Sequence, residues 1–143
     1  MAKSYRRTLL RRVANVLMTL LRRLGLAPRT TMLLTVPGRR SGTPRLTPVT
    51  LVEQDGQRWL VAPYGPVGWV HNARAAGQVE LSRGRHSETV RVKELAPEAA
   101  APVLKAYVQR VPITRPYFDV TPDAPLAAFA AEAPKHPVFQ VVP

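Results

Sequence analysis

Short runs of strand character, separated by tight-turn signals, constrain the fold of this chain more than any other feature. Five of them follow one another closely, at residues 32–36, 45–52, 58–62, 79–82 and 89–95. Asp55-Gly56 marks a hairpin between the second and third runs, and Gly84 lies between the last two. Strands joined by such short turns favour a small closed barrel, because closure removes exposed sheet edges.

The N-terminal segment has the pattern of a basic amphipathic helix that Gly25 and Pro28 end. Its apolar residues recur at steps of three and four, with arginines on the opposite face. These apolar residues are Leu10, Val13, Leu17, Leu20 and Leu24. We expect this stripe to pack on the domain's own core. The alternative is a helix lying in the headgroup region of an anionic membrane, which the arginines would favour.

Three more helices and a strand complete the expected organisation. Residues 69–76 form a short helix, and residues 98–110 form a longer one with Pro97 in its first turn and Pro102 as a distortion. A helix at 125–133 follows Asp123 as its cap, and residues 138–142 form a last strand. We interpret residues 1–143 as one α+β domain, mainly β. Its parts are an amphipathic helix at 1–27, barrel strands and site at 30–95, and C-terminal helices with the last strand at 96–143.

The charge is concentrated at the start of the chain. Of 21 Lys and Arg residues, eleven precede Glu53, the first acidic residue, and the net charge is +12. Such a surface suits nucleic acid, anionic lipid or a negatively charged cofactor. No apolar run reaches the roughly 20 residues of a membrane span, and no signal peptide is expected. Without cysteine the expected compartment is the cytoplasm, with attachment to the inner face of the cell membrane as an alternative.

Residues 38–45, GRRSGTPR, form a cationic turn between two apolar runs, which we call the arginine turn. Gly38 and Gly42 allow left-handed backbone angles and close approach of a ligand. Guanidinium groups match phosphate or carboxylate oxygens two at a time, so three of them suit a polyanion. The alternative is a solvated surface turn.

Other chemistries have no support in the sequence. His71, His86 and His136 lack ligand spacing, so no metal site is expected. Ser41 does not lie in a nucleophile elbow, and neither the Walker pattern nor GxGxxG occurs.

The order of motifs resembles the deazaflavin-dependent nitroreductase family of the actinobacterial flavin/deazaflavin oxidoreductase superfamily. These motifs are the arginine turn, a Thr47-Pro48 strand, a DG hairpin, GPVGWVHNARAAG at 65–77 and then VELSRGR. The chain is most similar to the nitroreductase and quinone reductase branch. The resemblance implies a split β-barrel of the flavin-reductase-like type, with an N-terminal amphipathic helix and C-terminal helices. It also implies reduced coenzyme F420 as cofactor, whose deazaflavin ring carries a phosphodiester and a polyglutamate tail.

The resemblance implies a role for each matching residue. The arginine turn would hold phosphate or tail carboxylates through Arg39, Arg40, Ser41 and Arg45. Two strands would line the ring and linker with Leu46, Thr47, Pro48, Val49, Ala62, Pro63, Tyr64 and Gly65. The helix start would contribute Gly68, Trp69, Val70, His71 and Asn72. For Trp69 the alternative is a core anchor, and for Asn72 a helix-start residue.

By the same resemblance the reaction is hydride transfer to an electron-poor acceptor, such as a quinone, a nitroaromatic or an activated alkene. Tyr117, His71 or solvent would supply the proton, and Tyr117, Thr114 and Phe118 would line the substrate mouth. The expected partner is this small molecule, on a monomer or weak dimer that binds no nucleic acid. One alternative is a split barrel that binds FMN, haem or a fatty acid. A nucleic-acid-binding barrel is another, which an aromatic content of 6% disfavours.

Overall fold

A computed structural model describes residues 12–13, 15–20 and 30–142 of the chain. Residues 12–13 and 15–20 are helical and form α1. The strands are β1 (Thr31–Pro37), β2 (Pro44–Gln54), β3 (Gln57–Val61), β4 (Gln78–Arg83), β5 (His86–Glu94) and β6 (Val138–Val142). The helices are α2 (Gly68–Ala76), α3 (Pro97–Arg110) and α4 (Leu126–Glu132), with 3-10 turns at Pro112–Tyr117 and Ala133–Lys135.

The six strands form one closed antiparallel barrel in the order β1-β2-β3-β6-β5-β4. The β2–β3 hairpin turns at Asp55 and Gly56, whose φ angles of 53° and 76° place both in the left-handed region. β1 closes the barrel on β4 through the pairs Leu33 with Ser82 and Leu34 with Leu81. The predicted α+β barrel is therefore confirmed, and each predicted strand overlaps an observed one.

Strand alternation divides the buried residues into two clusters. On β3, Leu60 points into the barrel and the next residue, Val61, points outward toward the C-terminal helices. Leu104 and Phe129 belong to the outer cluster and are fully buried there. Burying a side chain of this size stabilises the fold by about 1.5–3 kcal/mol. The C-terminal helices are thereby fixed against the outside of the barrel.

The prediction that Asp123 caps the next helix is wrong. α4 begins at Leu126, with Pro125 in the N-cap position and no side-chain cap hydrogen bond. Thr121 instead hydrogen-bonds the Asp123 carboxyl and lowers its pKa. The aspartate thus stabilises the preceding turn rather than the helix. α3 does run through Pro102 without ending, as the sequence predicts.

The expectation that the N-terminal apolar stripe packs on the core is also wrong for the residues described. Val13, Leu17 and Leu20 are 60%, 51% and 50% exposed, whereas Met18 is buried. Met18 lines a small cavity together with Leu33 and residues of the β4–β5 hairpin, so the described part of α1 meets the barrel wall at Met18. Leu10, Leu24, Gly25 and Pro28 lie outside the described residues. Within the described part of the chain, no helix is long and apolar enough to cross a membrane.

Candidate functional site

Two neighbouring cavities share β2 and α2 and form the candidate site. The arginine pocket, about 150 Å³, is lined by Gly38, Arg39, Arg40, Ser41, Arg45 and Asn72. The apolar pocket, about 230 Å³, includes Thr47 and Trp69 in its walls. Arg45 and Thr47 are two residues apart on β2, a separation of about 7 Å in an extended strand.

Backbone hydrogen bonds give the arginine turn a fixed shape. The Gly38 amide donates to the Thr43 carbonyl and the Gly42 amide to the Gly38 carbonyl, both at 2.8 Å. Gly42 has a φ of 70°, which favours glycine there. The Thr43 amide donates to Ser41 Oγ at 3.2 Å. The turn is therefore organised before any ligand arrives.

Asn72 ties this turn to α2. Its Oδ1 accepts hydrogen bonds from the Arg39 amide and from Arg39 Nη1, both at 3.0 Å. Asn72 is only 6% exposed, so its carbonyl oxygen is committed to Arg39. Asn72 therefore holds Arg39 in place on the inner side of the arginine turn, which its interpretation as a helix-start residue did not predict.

The arginine pocket carries uncompensated positive charge. Arg40 and Arg45 are exposed, and no carboxylate in the described part of the chain pairs with either of them or with Arg39. Three guanidinium groups without acidic partners, beside a serine hydroxyl, make a donor set that fits phosphate and carboxylate oxygens. The residues present thus fit an anionic tail.

The walls of the apolar pocket come from distant parts of the chain. The barrel, the loop after β3 and the first turn of α2 contribute Thr31, Thr47, Pro48, Val49, Thr50, Val61, Pro63, Tyr64, Val67 and Trp69. The C-terminal helical region contributes Tyr107, Val111, Ile113 and Thr114. These walls are mainly apolar with a few hydroxyls, a surface that suits a flat heterocycle and an apolar acceptor.

Tyr107 is a lining residue that the sequence analysis did not assign to the site. It is 2% exposed, and burial raises the pKa of its hydroxyl, with the neighbouring Tyr64 a smaller cause. The phenol therefore stays protonated and can donate a hydrogen bond. The sequence does carry a signal for it, a hydroxyl-bearing residue on the otherwise apolar face of α3 that also includes Leu104 and Val108.

Tyr117 lies at the mouth of the apolar pocket rather than in its wall. Its ring meets that of Tyr64 edge-on, with centroids 4.6 Å apart. Tyr64 and Tyr117 are 59% and 57% exposed, so both are accessible to an entering molecule. Of the other two residues predicted for the substrate mouth, Thr114 is buried and lines the apolar pocket, whereas Phe118 is buried and does not line it.

The structure brings most, but not all, of the predicted site residues to the two pockets. The arginine pocket receives Arg39, Arg40, Ser41, Arg45 and Asn72, and the apolar pocket receives Thr47, Pro48, Val49, Pro63, Tyr64 and Trp69. Neither of these pockets is lined by Leu46, Ala62, Gly65, Gly68, Val70 or His71. Ala62 and Val70 are fully buried in the barrel core, and His71 is half-buried on α2.

Trp69 combines two of the roles considered for it. It is 7% exposed and packs on Phe139 in the barrel core, with ring centroids 5.8 Å apart. It also lines the apolar pocket. Among the described residues, no cluster of three or more His, Asp or Glu residues could hold a metal ion.

Comparison with known proteins links this geometry to one family. The sequence model of the F420H(2)-dependent quinone reductases matches residues 5–122. Among curated proteins, none is similar enough in sequence to count as a match.

Solved structures show the same fold at low sequence identity. An F420-H2 dependent reductase, FDR-A, superimposes with a TM-score of 0.55 and 24% identity, over 80% of this chain and 95% of its own. A structure described as a domain-swapped dimer gives a TM-score of 0.58 and 23% identity, over 99% and 100% of the two chains. A conserved hypothetical protein from Mycobacterium tuberculosis gives 0.56 and 20%, over 78% and 71%.

Proposed function

Because this chain belongs to the F420H(2)-dependent quinone reductase family, we propose that it passes a hydride from its cofactor, reduced coenzyme F420, to an electron-poor acceptor. The acceptor classes we propose are quinones, nitroaromatics and activated alkenes. The observation that carries this proposal is that β2 joins the two pockets, because Arg45 lines the arginine pocket, whose three arginines have no acidic partner in the described part of the chain, and Thr47 lines the apolar pocket. That arrangement suits a ligand with an anionic tail and a flat ring.

In this proposal the arginine pocket binds the coenzyme tail. Arg40 and Arg45 contact phosphate and carboxylate oxygens from the exposed side, while Asn72 holds Arg39 in place. Thr47 and Val49, which line the apolar pocket from β2, lie along the ring. When bound, the coenzyme supplies the hydride. The chain positions the donor and acceptor and excludes water from between them.

An acceptor that gains negative charge needs hydrogen-bond donors and a proton, and three side chains are candidates to provide them. Tyr107 presents a protonated phenol inside the apolar pocket, and its raised pKa makes it a hydrogen-bond donor rather than a source of the proton. Tyr117 offers its hydroxyl at the mouth, beside Tyr64. His71 lines neither of the two pockets, so it would act through an intervening water molecule. We propose Tyr107 and Tyr117 as the groups that face the acceptor.

Coenzyme binding tests the proposal directly. Purified protein is titrated with coenzyme F420 and, separately, with FMN, while the fluorescence of Trp59 and Trp69 is followed. Oxidation of the reduced coenzyme is then recorded after addition of menadione. We expect quenching by coenzyme F420 and oxidation that depends on the enzyme. Quenching by FMN alone would favour the alternative binding protein.

Arg45→Ala identifies the anion site within this assay. Removing one charged donor should weaken coenzyme binding about tenfold. Arg85→Ala removes the same charge from an exposed position on the β4–β5 hairpin and should bind like the wild type. Equal affinities for wild-type and Arg45→Ala proteins would refute the assignment of the arginine pocket.

We further propose that α1 attaches the enzyme peripherally to an anionic membrane surface. Val13, Val16, Leu17 and Leu20 are each at least 50% exposed and are spaced to lie on one helix face. Exposed apolar residues at this spacing, beside the basic N-terminal segment, suit the headgroup region. Flotation with anionic vesicles should carry the intact chain upward and leave a chain lacking residues 1–27 behind. Equal soluble fractions for the two chains would refute the attachment.

A further inference from the structure

A buried histidine lies where three segments around the apolar pocket meet. His136 is 3% exposed, and its Nδ1 lies 2.8 Å from the Pro63 carbonyl oxygen. Its Nε2 lies 3.0 Å from Glu132 Oε1, and Glu132 is 5% exposed. The ring stacks on Phe118 with centroids 3.9 Å apart. We call His136, Glu132 and the Pro63 carbonyl the histidine latch.

The hydrogen-bond chemistry fixes the orientation of this ring. The Pro63 carbonyl can only accept a hydrogen bond, so Nδ1 must carry a hydrogen. Glu132 Oε1 also accepts the Asp119 amide at 2.9 Å. Glu132 therefore joins the Nε2 side of the ring to the Asp119 backbone. A ring rotated by 180° about its second side-chain torsion would break both contacts.

Each end of the histidine latch adjoins one of the two tyrosines at the pocket mouth. Pro63 precedes Tyr64, and Phe118 follows Tyr117. Glu132 also accepts a hydrogen bond from the Asp119 amide, which belongs to the same segment as Tyr117. His136 thus contacts the neighbour of each tyrosine, Pro63 on one side and Phe118 on the other, and the two tyrosine rings contact each other edge-on.

The segment around His136 also braces the loop after β3. The Ala62 amide donates to the Pro137 carbonyl at 2.9 Å. Gly65 has a φ of 96°, and a Cβ atom built there would lie 3.5 Å from the Lys135 carbonyl oxygen. The segment 135–137 therefore lies against the loop from Ala62 to Gly65. Its backbone contacts the loop at Ala62 and Gly65, and the His136 side chain contacts it at the Pro63 carbonyl.

We propose that His136, oriented by Glu132, is a positioning residue that holds Tyr64 and Tyr117 across the mouth of the apolar pocket and so sets acceptor binding. This inference rests on the proposed function, since it takes the apolar pocket as the acceptor site. A histidine with a purely structural role would contribute stability without acting selectively on the acceptor.

Two substitutions separate the two ends of the imidazole. In His136→Asn, the short amide places its N–H where Nδ1 was and still donates to the Pro63 carbonyl. In His136→Gln, the longer amide reaches toward Glu132 and leaves that carbonyl without its donor. His86→Gln is the matched control, because His86 is exposed and lines neither of the two site pockets.

Steady-state kinetics with menadione gives the first readout. His136→Gln should raise the KM for menadione about fivefold, while the Kd for coenzyme F420 stays within about twofold of wild type. His136→Asn and His86→Gln should both retain a near wild-type KM. Equal KM values for the Asn and Gln variants, or equal effects of Gln on KM and coenzyme Kd, would overturn the proposal.

Fluorine NMR of fluorotyrosine-labelled protein gives a readout that needs no coenzyme. The signals of Tyr64 and Tyr117, assigned with Tyr64→Phe and Tyr117→Phe, should shift in His136→Gln and stay in place in His136→Asn. Unchanged signals in His136→Gln would overturn the proposal. If that variant does not fold, Glu132→Gln replaces it, because Gln still accepts the Asp119 amide but holds the ring less firmly, and the same two signals should shift.

The two readouts distinguish failure of the latch from failure of the proposed function. If the wild-type protein neither binds coenzyme F420 nor oxidises its reduced form, the proposed function fails, and the tyrosine signals still report on the latch. If the wild-type protein is active and the signals do not respond to His136→Gln, only the latch fails.

Discussion

Replacing Asn72 tests whether the arginine turn is organised in advance for an anion. Its Oδ1 accepts one hydrogen bond from the Arg39 amide and one from the Arg39 guanidinium. A neutral hydrogen bond contributes about 0.5–1.5 kcal/mol and a charged one about 1.5–3 kcal/mol. The Arg39 side chain is exposed, so solvent weakens the charged bond and Asn72→Ala should cost about 1–2 kcal/mol of unfolding free energy. This corresponds to a Tm lower by about 3–8 °C.

Asn72→Asp separates the shape of the turn from its charge. Aspartate has the same size and accepts both hydrogen bonds, so the Tm should stay close to that of the wild type. Its carboxylate would neutralise one guanidinium next to the bound anion. Coenzyme affinity should therefore fall at least about tenfold and depend less steeply on salt. Compared with Asn72→Asp, Asn72→Ala should have a lower Tm but should lose less coenzyme affinity.

Thermal unfolding and tryptophan-quenching titrations at two salt concentrations provide the measurements. Gln57→Ala is the control, because it removes an amide from an exposed site on the β2–β3 hairpin. If Asn72→Ala melts and binds like the wild type, Asn72 does not organise the turn. If Asn72→Asp binds the coenzyme as tightly as the wild type, the coenzyme tail does not lie against the arginine pocket.

Three further predictions concern stability. Burial raises the pKa of Tyr107 in the folded state, so above a pH of about 10 the tyrosine loses its proton in the unfolded chain first. The free energy of unfolding should therefore fall by about 1.4 kcal/mol for each pH unit above that value. Tyr107→Phe should remove this component, and equal slopes in alkaline urea denaturation would contradict it. Gly65→Ala, at a φ of 96°, should cost about 1–2 kcal/mol, whereas Gly68→Ala should not, and equal melting curves would refute the strain. The exposed Arg74–Glu94 pair should show a coupling of only about 0.5 kcal/mol in a double-mutant cycle, and a value several times larger would show that solvent does not screen it.

The barrel could be predicted because its signals are local. The Asp55-Gly56 pair adopts the left-handed angles that its sequence favours, and this fixes the pairing of β2 with β3. The last strand was predicted at the residues where β6 is observed. The residues of the arginine turn likewise lie together because they are close in sequence.

Features that depend on long-range contacts could not be predicted. Nothing near Met18 in the sequence indicates that it is buried while the apolar stripe of α1 is exposed, or that it lines a cavity together with Leu33. The 3-10 turn at Pro112–Tyr117 has no periodicity to reveal it. His136 looks like an isolated histidine until the fold brings it to Pro63, which is 73 residues away.

This difference bears on how the two halves of the site are encoded. The half of the site that we propose for the coenzyme lies on β2, α2 and the turn between β1 and β2, all within residues 38–76. Along α2, Trp69 and Asn72 are three residues, or about 4.5 Å, apart, so one helix carries a wall residue of each pocket. The half that we propose for the acceptor combines the loop after β3 with α3, the following 3-10 turn and the segment around His136. If both proposals hold, packing changes in the C-terminal helices should alter the choice of acceptor while the short motif at 38–76 preserves coenzyme binding.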